Sequence, residues 1–257
     1  MRGPFHVVKA LCHNHAAMHR AIIPLICTLS CCLVASCGSG THVATHTSPT
    51  FKVPAAQRAL AFARAVNLTP ADVPGFTPSA KHQHDSPREK ALERQMLRCA
   101  GAAGPTKAIA EEGSKDFELK HAVLDFSVSS EVSVQPGTTR AGKGLSAIRG
   151  ARARGCFSRY LEQSFSAQRI KGATLGPVSI QSGTPPAPGT SGSFGWRVTA
   201  TFVLRGVNVP IYLDFLGFTV GPCEVTLLST GLLRPFPAAV QQQLFTTLLS
   251  RAKAHRL

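Results

Sequence analysis

The chain is short of acids, of aromatic rings and of any long apolar run. It carries 13 Asp and Glu against 28 Lys and Arg, a net charge of +15, and only one Trp and two Tyr in 257 residues. The few carboxylates are scattered, and nothing in the sequence pairs two of them as a glycosidase site requires. The basic residues are also scattered, with one dense run at Arg149, Arg152, Arg154 and Arg159. Few rings accompany them, so the stacking surface that holds nucleic acid is missing and nucleic acid is not an expected partner. No two cysteines are spaced Cys-x-x-Cys; neither a zinc nor a redox motif is present, and no metal is expected. The Gly-x-Ser-x-Gly elbow of serine nucleophiles is absent as well.

One stretch comes close to a nucleotide loop. In "GTTRAGKGLS", Gly137, Gly142 and Lys143 fit the phosphate-binding pattern, but Gly144 stands where a Ser or Thr hydroxyl must hold magnesium. Such loops belong to parallel sheets, and the clear strands here read as antiparallel. The stretch is expected to be a turn before a helix, with no nucleotide and no cofactor. "KHQHD" offers His82, His84 and Asp85 without further ligands nearby, and reads as linker.

What is present is decided first at the N-terminus. "HRAIIPLICTLSCCLVASC" has a basic start, an apolar run from Ala21 to Ala35 and small residues before Cys37. This is the three-part layout of an export signal. The run is 15 residues long, short of the roughly 20 that span a bilayer, and Pro24 interrupts it. Val34-Ala35-Ser36-Cys37 resembles the bacterial lipobox, in which the cysteine receives a lipid and becomes the mature N-terminus. An ordinary secretory signal cut nearby is the alternative. Translation from Met18 gives the more usual leader. Residues 1–36 are therefore read as signal peptide, 37–53 as a flexible, lipid-anchored tether, and 54–257 as one extracytoplasmic domain. Removing Arg2, Lys9 and Arg20 with the leader leaves +12, which favours adsorption to anionic lipid and acidic wall polymers.

Of the eight cysteines, Cys12, Cys27, Cys31 and Cys32 fall in the leader, and Cys37 is the lipid site. Cys99, Cys156 and Cys223 remain. Export favours oxidation, so one pair and one remainder are expected. Cys99 and Cys156 each end or begin a predicted helix, and they are the expected pair. Such a bridge contributes about 4 kcal/mol in the loop-entropy picture. Cys223, at the start of a strand, reads as a small buried residue.

Along the domain, "PAAQRALAFARAVNL" predicts a helix, and "SPREKALERQMLRC" a second capped by Ser86. "GAAGPTKAIAEEGSKDF" reads as a loop with a short helix. Leu124, Phe126, Val128, Val132 and Val134 mark a half-buried strand. Helix follows from about Thr139 to Phe165, broken at Gly150 or Gly155. A short strand at Val178 and Ile180 precedes the long loop "SGTPPAPGTSGS". Trp196, Val198, Ala200 and Phe202 alternate with Arg197, Thr199 and Thr201, and two further strands complete an antiparallel meander. A helix from Pro237 closes the chain. The predicted class is α+β, a central antiparallel sheet with helices packed mainly on one face. Asp214, in the apolar strand "YLDFLGF", is expected to face solvent; the alternative is burial beside Arg197 or Arg205.

The chain resembles actinobacterial envelope lipoproteins, akin to the sensor domain of PknH-type kinases and to LpqN-like, PsbP-like lipoproteins. The residues that carry the resemblance are the lipobox at Cys37, "ADVPGF" after the first helix, "SSEVSV", Cys99 and Cys156, and "YLDFLGF…GPCEVTL…PFP". The resemblance implies a non-enzymatic domain with a groove between sheet and helices. It departs from the kinase sensor in lacking a kinase and a transmembrane helix and in having one disulfide rather than two. Two functions are expected to compete. The first is a non-catalytic, sensor-like binding lipoprotein on the outer face of the membrane, taking an envelope lipid, glycan or protein. The second is an enzyme modifying envelope polymers through Asp214, Glu224 or His121.

Overall fold

The computed structural model describes residues 55–79, 87–101, 107–120, 125–168, 173–204, 206–255 and 257. The leader, Cys37, the tether, His82, His84, Asp85, Ser86, His121, Leu124 and Arg205 lie outside them.

The elements in chain order are α1 (Ala55–Val66), β1 (Thr77–Pro78), α2 (Pro87–Ala100), β2 (Ala110–Gly113), β3 (Phe117–Lys120), β4 (Asp125–Val134), α3 (Thr138–Arg149), α4 (Ala151–Gln168), β5 (Ala173–Gly183), β6 (Gly192–Leu204), β7 (Val207–Val220), β8 (Cys223–Leu232) and α5 (Ala238–Ala254). The strands form one antiparallel sheet ordered β1-β3-β4-β8-β7-β6-β5, with β2 also paired to β4. The helices α3 and α4 carry the chain from β4 to the far edge. The meander β5 to β8 then returns it to β4's side.

Side chains alternate across a strand, and cross-strand partners share a face. On the first face, Val128 and Val132 of β4 meet Val225 and Leu227 of β8 and Phe218 of β7. They are covered by Phe62 and Val66 of α1 and Leu244, Phe245 and Leu248 of α5. On the second face, Trp196, Val198, Leu213 and Phe215 lie under Leu145 of α3 and Phe157 and Leu161 of α4, with Met96 of α2 in the same cluster. Each such side chain contributes about 1.5–3 kcal/mol on burial. The α+β class and central antiparallel sheet agree with the sequence. Of the described helices, the larger share, α2, α3 and α4, lies on the second face, with α1 and α5 on the first.

The helical region breaks at Gly150, whose extended backbone (φ −66°, ψ 144°) ends α3; Gly155 stays within α4. Ala110–Gly113, expected in a loop or short helix, is a strand, held by pairing with Glu131–Val134. Val178 and Ile180 belong to an 11-residue strand with a register shift after Leu175. Cys99 and Cys156 are bonded, with Cα atoms 5.7 Å apart, and the bridge ties α2 to α4. Cys223 is a free, buried thiol in the first-face core. Burial and the neighbouring Glu224 push its pKa up to about 12, so it stays a neutral core residue.

Candidate functional site

The two helical layers are offset. The first-face layer stops over β8 and the end of β7, whereas the second-face layer continues over β5 and β6. No helix covers the first face of β5 to β7, which is open around Arg197, Thr199 and Tyr212, while Pro185 and Ala187 of the β5–β6 connection cover it at Ser193 and Gly195. One row across it runs Gln181–Arg197–Asp214–Ser229, and the next runs Ser179–Thr199–Tyr212–Gly231. Ser179 and Gln181 are exposed, and Arg197, Thr199, Thr201 and Tyr212 are half-buried. Their neighbours on the opposite side, Trp196, Val198 and Ala200, are buried.

Asp214 does not face solvent, as was expected of it; it is 3% exposed. The layer over β8 reaches it. Beside it Ser229 is fully buried and accepts a 2.6 Å hydrogen bond from Gln241 of α5. A carboxylate so placed needs a partner, and Arg197 supplies it. Its Nε donates to Oδ1 at 2.6 Å and its Nη2 to Oδ2 at 3.1 Å. Of the two partners proposed from the sequence, Arg197 is thus the one seen. The hydrogen bonds to Asp214 raise the Arg197 pKa further. The guanidinium is locked charged on the open floor, its side chain 41% exposed, with donors to spare beyond the two on Asp214.

A wall borders this floor. Past β8 the chain turns at Leu233, a non-glycine residue at φ +66°, whose N–H donates to the Pro210 carbonyl at 2.9 Å. The turn lays Arg234 to Phe236 directly over Gly231, where a Cβ would strike the Arg234 carbonyl. Buried Phe236 pins the wall against Phe76 and Phe126, with ring centroids 6.0 and 5.9 Å away. Arg234 itself is exposed. Sequence reasoning missed this wall. The proline-flanked Phe236 after a run of strand residues was the available signal.

Glu224 lies on the second face. Asp214 pairs with Ser229, and Thr219 pairs with Glu224. The two acids are therefore five positions apart along the ladder, about 17 Å, and on opposite faces. They do not form one site. Glu224 accepts a 2.9 Å hydrogen bond from Gln135. Burial raises its pKa, opposed by that bond and by Arg140. A Cβ on Gly144 would collide with the Glu224 carboxylate. Thus the glycine that departs from the nucleotide-loop pattern sits where the Glu224 side chain fills the space a Cβ would need.

A separate, open depression of about 230 Å³ lies among Arg58, Ile109, Val134, Pro136, Pro222 and Leu257. It is smaller than the roughly 300–1,000 Å³ of sites that enclose a ligand. Among the described residues, no helix is long and apolar enough to cross a membrane.

No protein-family model and no curated protein sequence matches the chain. The structure is similar to the extracellular domain of PknH from Mycobacterium tuberculosis, at 11% identity and a TM-score of 0.38, over 75% of this chain and 95% of that one. At that TM-score, ligand and role have to be argued from this chain's own residues.

Proposed function

We propose that this chain is a lipid-anchored, extracytoplasmic binding domain of the cell envelope. Cys37 attaches it to the outer face of the membrane, and the open floor of β5 to β7 receives its ligand. It is non-catalytic. The observation that carries this reading is the one-sided covering of β6 and β7. Their second face is packed with apolar side chains, while their first face keeps hydroxyls, Tyr212 and a charged guanidinium held in place by a buried carboxylate. The Cys99–Cys156 bridge supports an oxidising compartment. The leader layout and the lipobox at Cys37 support the anchor. The competing reading, an enzyme acting on envelope polymers, is weakened because Asp214 and Glu224 point to opposite faces.

The anchor is tested by metabolic labelling with an alkyne analogue of palmitate. Label in the chain and recovery with membranes are the expected result, and both are to be lost in Cys37→Ala. An unlabelled chain with Cys37 intact overturns the anchor.

A further inference from the structure

We infer that the open floor takes a polyhydroxylated, anionic polymer: a sugar or polyol chain bearing carboxylate or phosphodiester groups. The inference rests on the reading of this floor as the binding face. Shape is the first argument. The floor is a strip of sheet bounded by a wall on one side and running out over the edge strand β5 on the other. An open strip suits an extended chain, whereas small molecules are held in enclosed pockets.

Composition is the second. Ser179, Gln181, Thr199 and Thr201 present hydroxyl and amide groups at successive positions of the sheet. They can exchange hydrogen bonds with a polyol, and the Tyr212 ring offers an apolar surface between them. Charge is the third. Asp214 is the only carboxylate on β5, β6 and β7, and Arg197 neutralises it. Arg234 adds an exposed cation on the wall. On these strands the floor therefore offers guanidinium donors with no second carboxylate to oppose them, an arrangement that suits the paired oxygens of a carboxylate or a phosphodiester. The wall adds a fourth argument. A bulky residue at φ +66° costs free energy, and the turn it makes is the one that sets Arg234 beside the floor.

The test uses the full chain in zwitterionic detergent, so that it does not depend on acylation of Cys37. Isothermal titration with polygalacturonate, poly(glycerol phosphate) and dextran separates carboxylate, phosphodiester and neutral polyol. At least one anionic polymer is expected to bind ten or more times as tightly as dextran, and the tighter of the two names the anion. Arg234→Gln removes one charge-assisted contact and is expected to weaken that binding about tenfold. The double variant Arg197→Gln, Asp214→Asn, which keeps a neutral pair on the floor, should do the same. Arg152→Gln removes an equal charge from exposed α4 on the far face and should change binding less than twofold. Binding lost equally in Arg152→Gln, dextran bound as tightly as the polyanions, or no binding of either polyanion overturns the inference. None of these outcomes touches the palmitate result.

Discussion

Two of the acids in the sheet, Asp214 and Glu224, are treated in opposite ways. Asp214, on the first face, is almost wholly buried and forked by an arginine whose outer side reaches water. Glu224, on the second face, lies under α3 with an amide as its hydrogen-bond partner, and burial raises its pKa. The first is a charge that positions another charge at the surface. The second is a carboxyl tucked beneath a glycine. The difference follows from what covers each face. The helices end beside Asp214, leaving room for a long cation to fork it, but α3 closes over Glu224, which takes its hydrogen bond from the Gln135 amide and feels Arg140 through its charge.

The comparison breaks most visibly at the ion pair. Arg197→Met strands the Asp214 carboxylate in a dry site. The loss of stability is expected to be about 3 kcal/mol, the low end for a broken buried pair because water reaches one side of it. Asp214→Asn leaves the cation free to turn into solvent and should cost only about 1 kcal/mol. Urea unfolding with an unchanged slope measures both. Equal losses in the two variants would mean that Asp214 is not the dependent partner.

At Glu224 the effect is smaller and appears as a coupling. Gly144→Ala gains about 1 kcal/mol of helix propensity wherever a methyl fits. It does not fit while the Glu224 carboxylate holds its place. In the natural chain the gain is expected to be cancelled by displacement of that carboxylate. In a Glu224→Ala background it should appear in full. The double-mutant cycle therefore carries about 1 kcal/mol of coupling. Simple additivity would show that Gly144 has nothing to do with Glu224.

These contrasts mark how far the sequence was legible. The alternation of Trp196, Val198 and Ala200 with Arg197, Thr199 and Thr201 has the two-residue period of a strand, so the meander and its dry face could be read directly. The α3–α4 break at Gly150 and the Cys99–Cys156 bridge were likewise within reach of local patterns. The burial of Asp214 was not. Periodicity shows which residues share a face but not where along that face a helix stops, and α5 comes from the far end of the chain. Ala110–Gly113 was missed because "AEEG" has no apolar alternation; backbone pairing with β4 makes it a strand. The wall over Gly231 depends on the packing of Phe236 against Phe76 and Phe126, contacts remote in sequence. The reason for Gly144 lies in Glu224, on a strand much further along the chain.

The smallest expected effect is the dependence of stability on pH at Glu224. Burial raises this group's pKa in the folded state, and the hydrogen bond from Gln135 and the charge of Arg140 only partly oppose it. The folded chain therefore holds the proton more tightly than the unfolded one. Stability from this group is fully present below the unfolded pKa, near 4.3, and falls as pH rises from there through the folded value, because ionisation is harder in the native site. Glu224→Gln keeps the size and the partner of the side chain without its charge. It should leave stability at pH 4 nearly unchanged and flatten the decline above it, so that at pH 7 the variant equals or exceeds the natural chain. Thermal unfolding across that range reads the difference directly. If Glu224→Gln is the less stable of the two at pH 7 and the gap closes towards pH 4, the carboxylate is stabilised by its surroundings, and the contrast with Asp214 disappears.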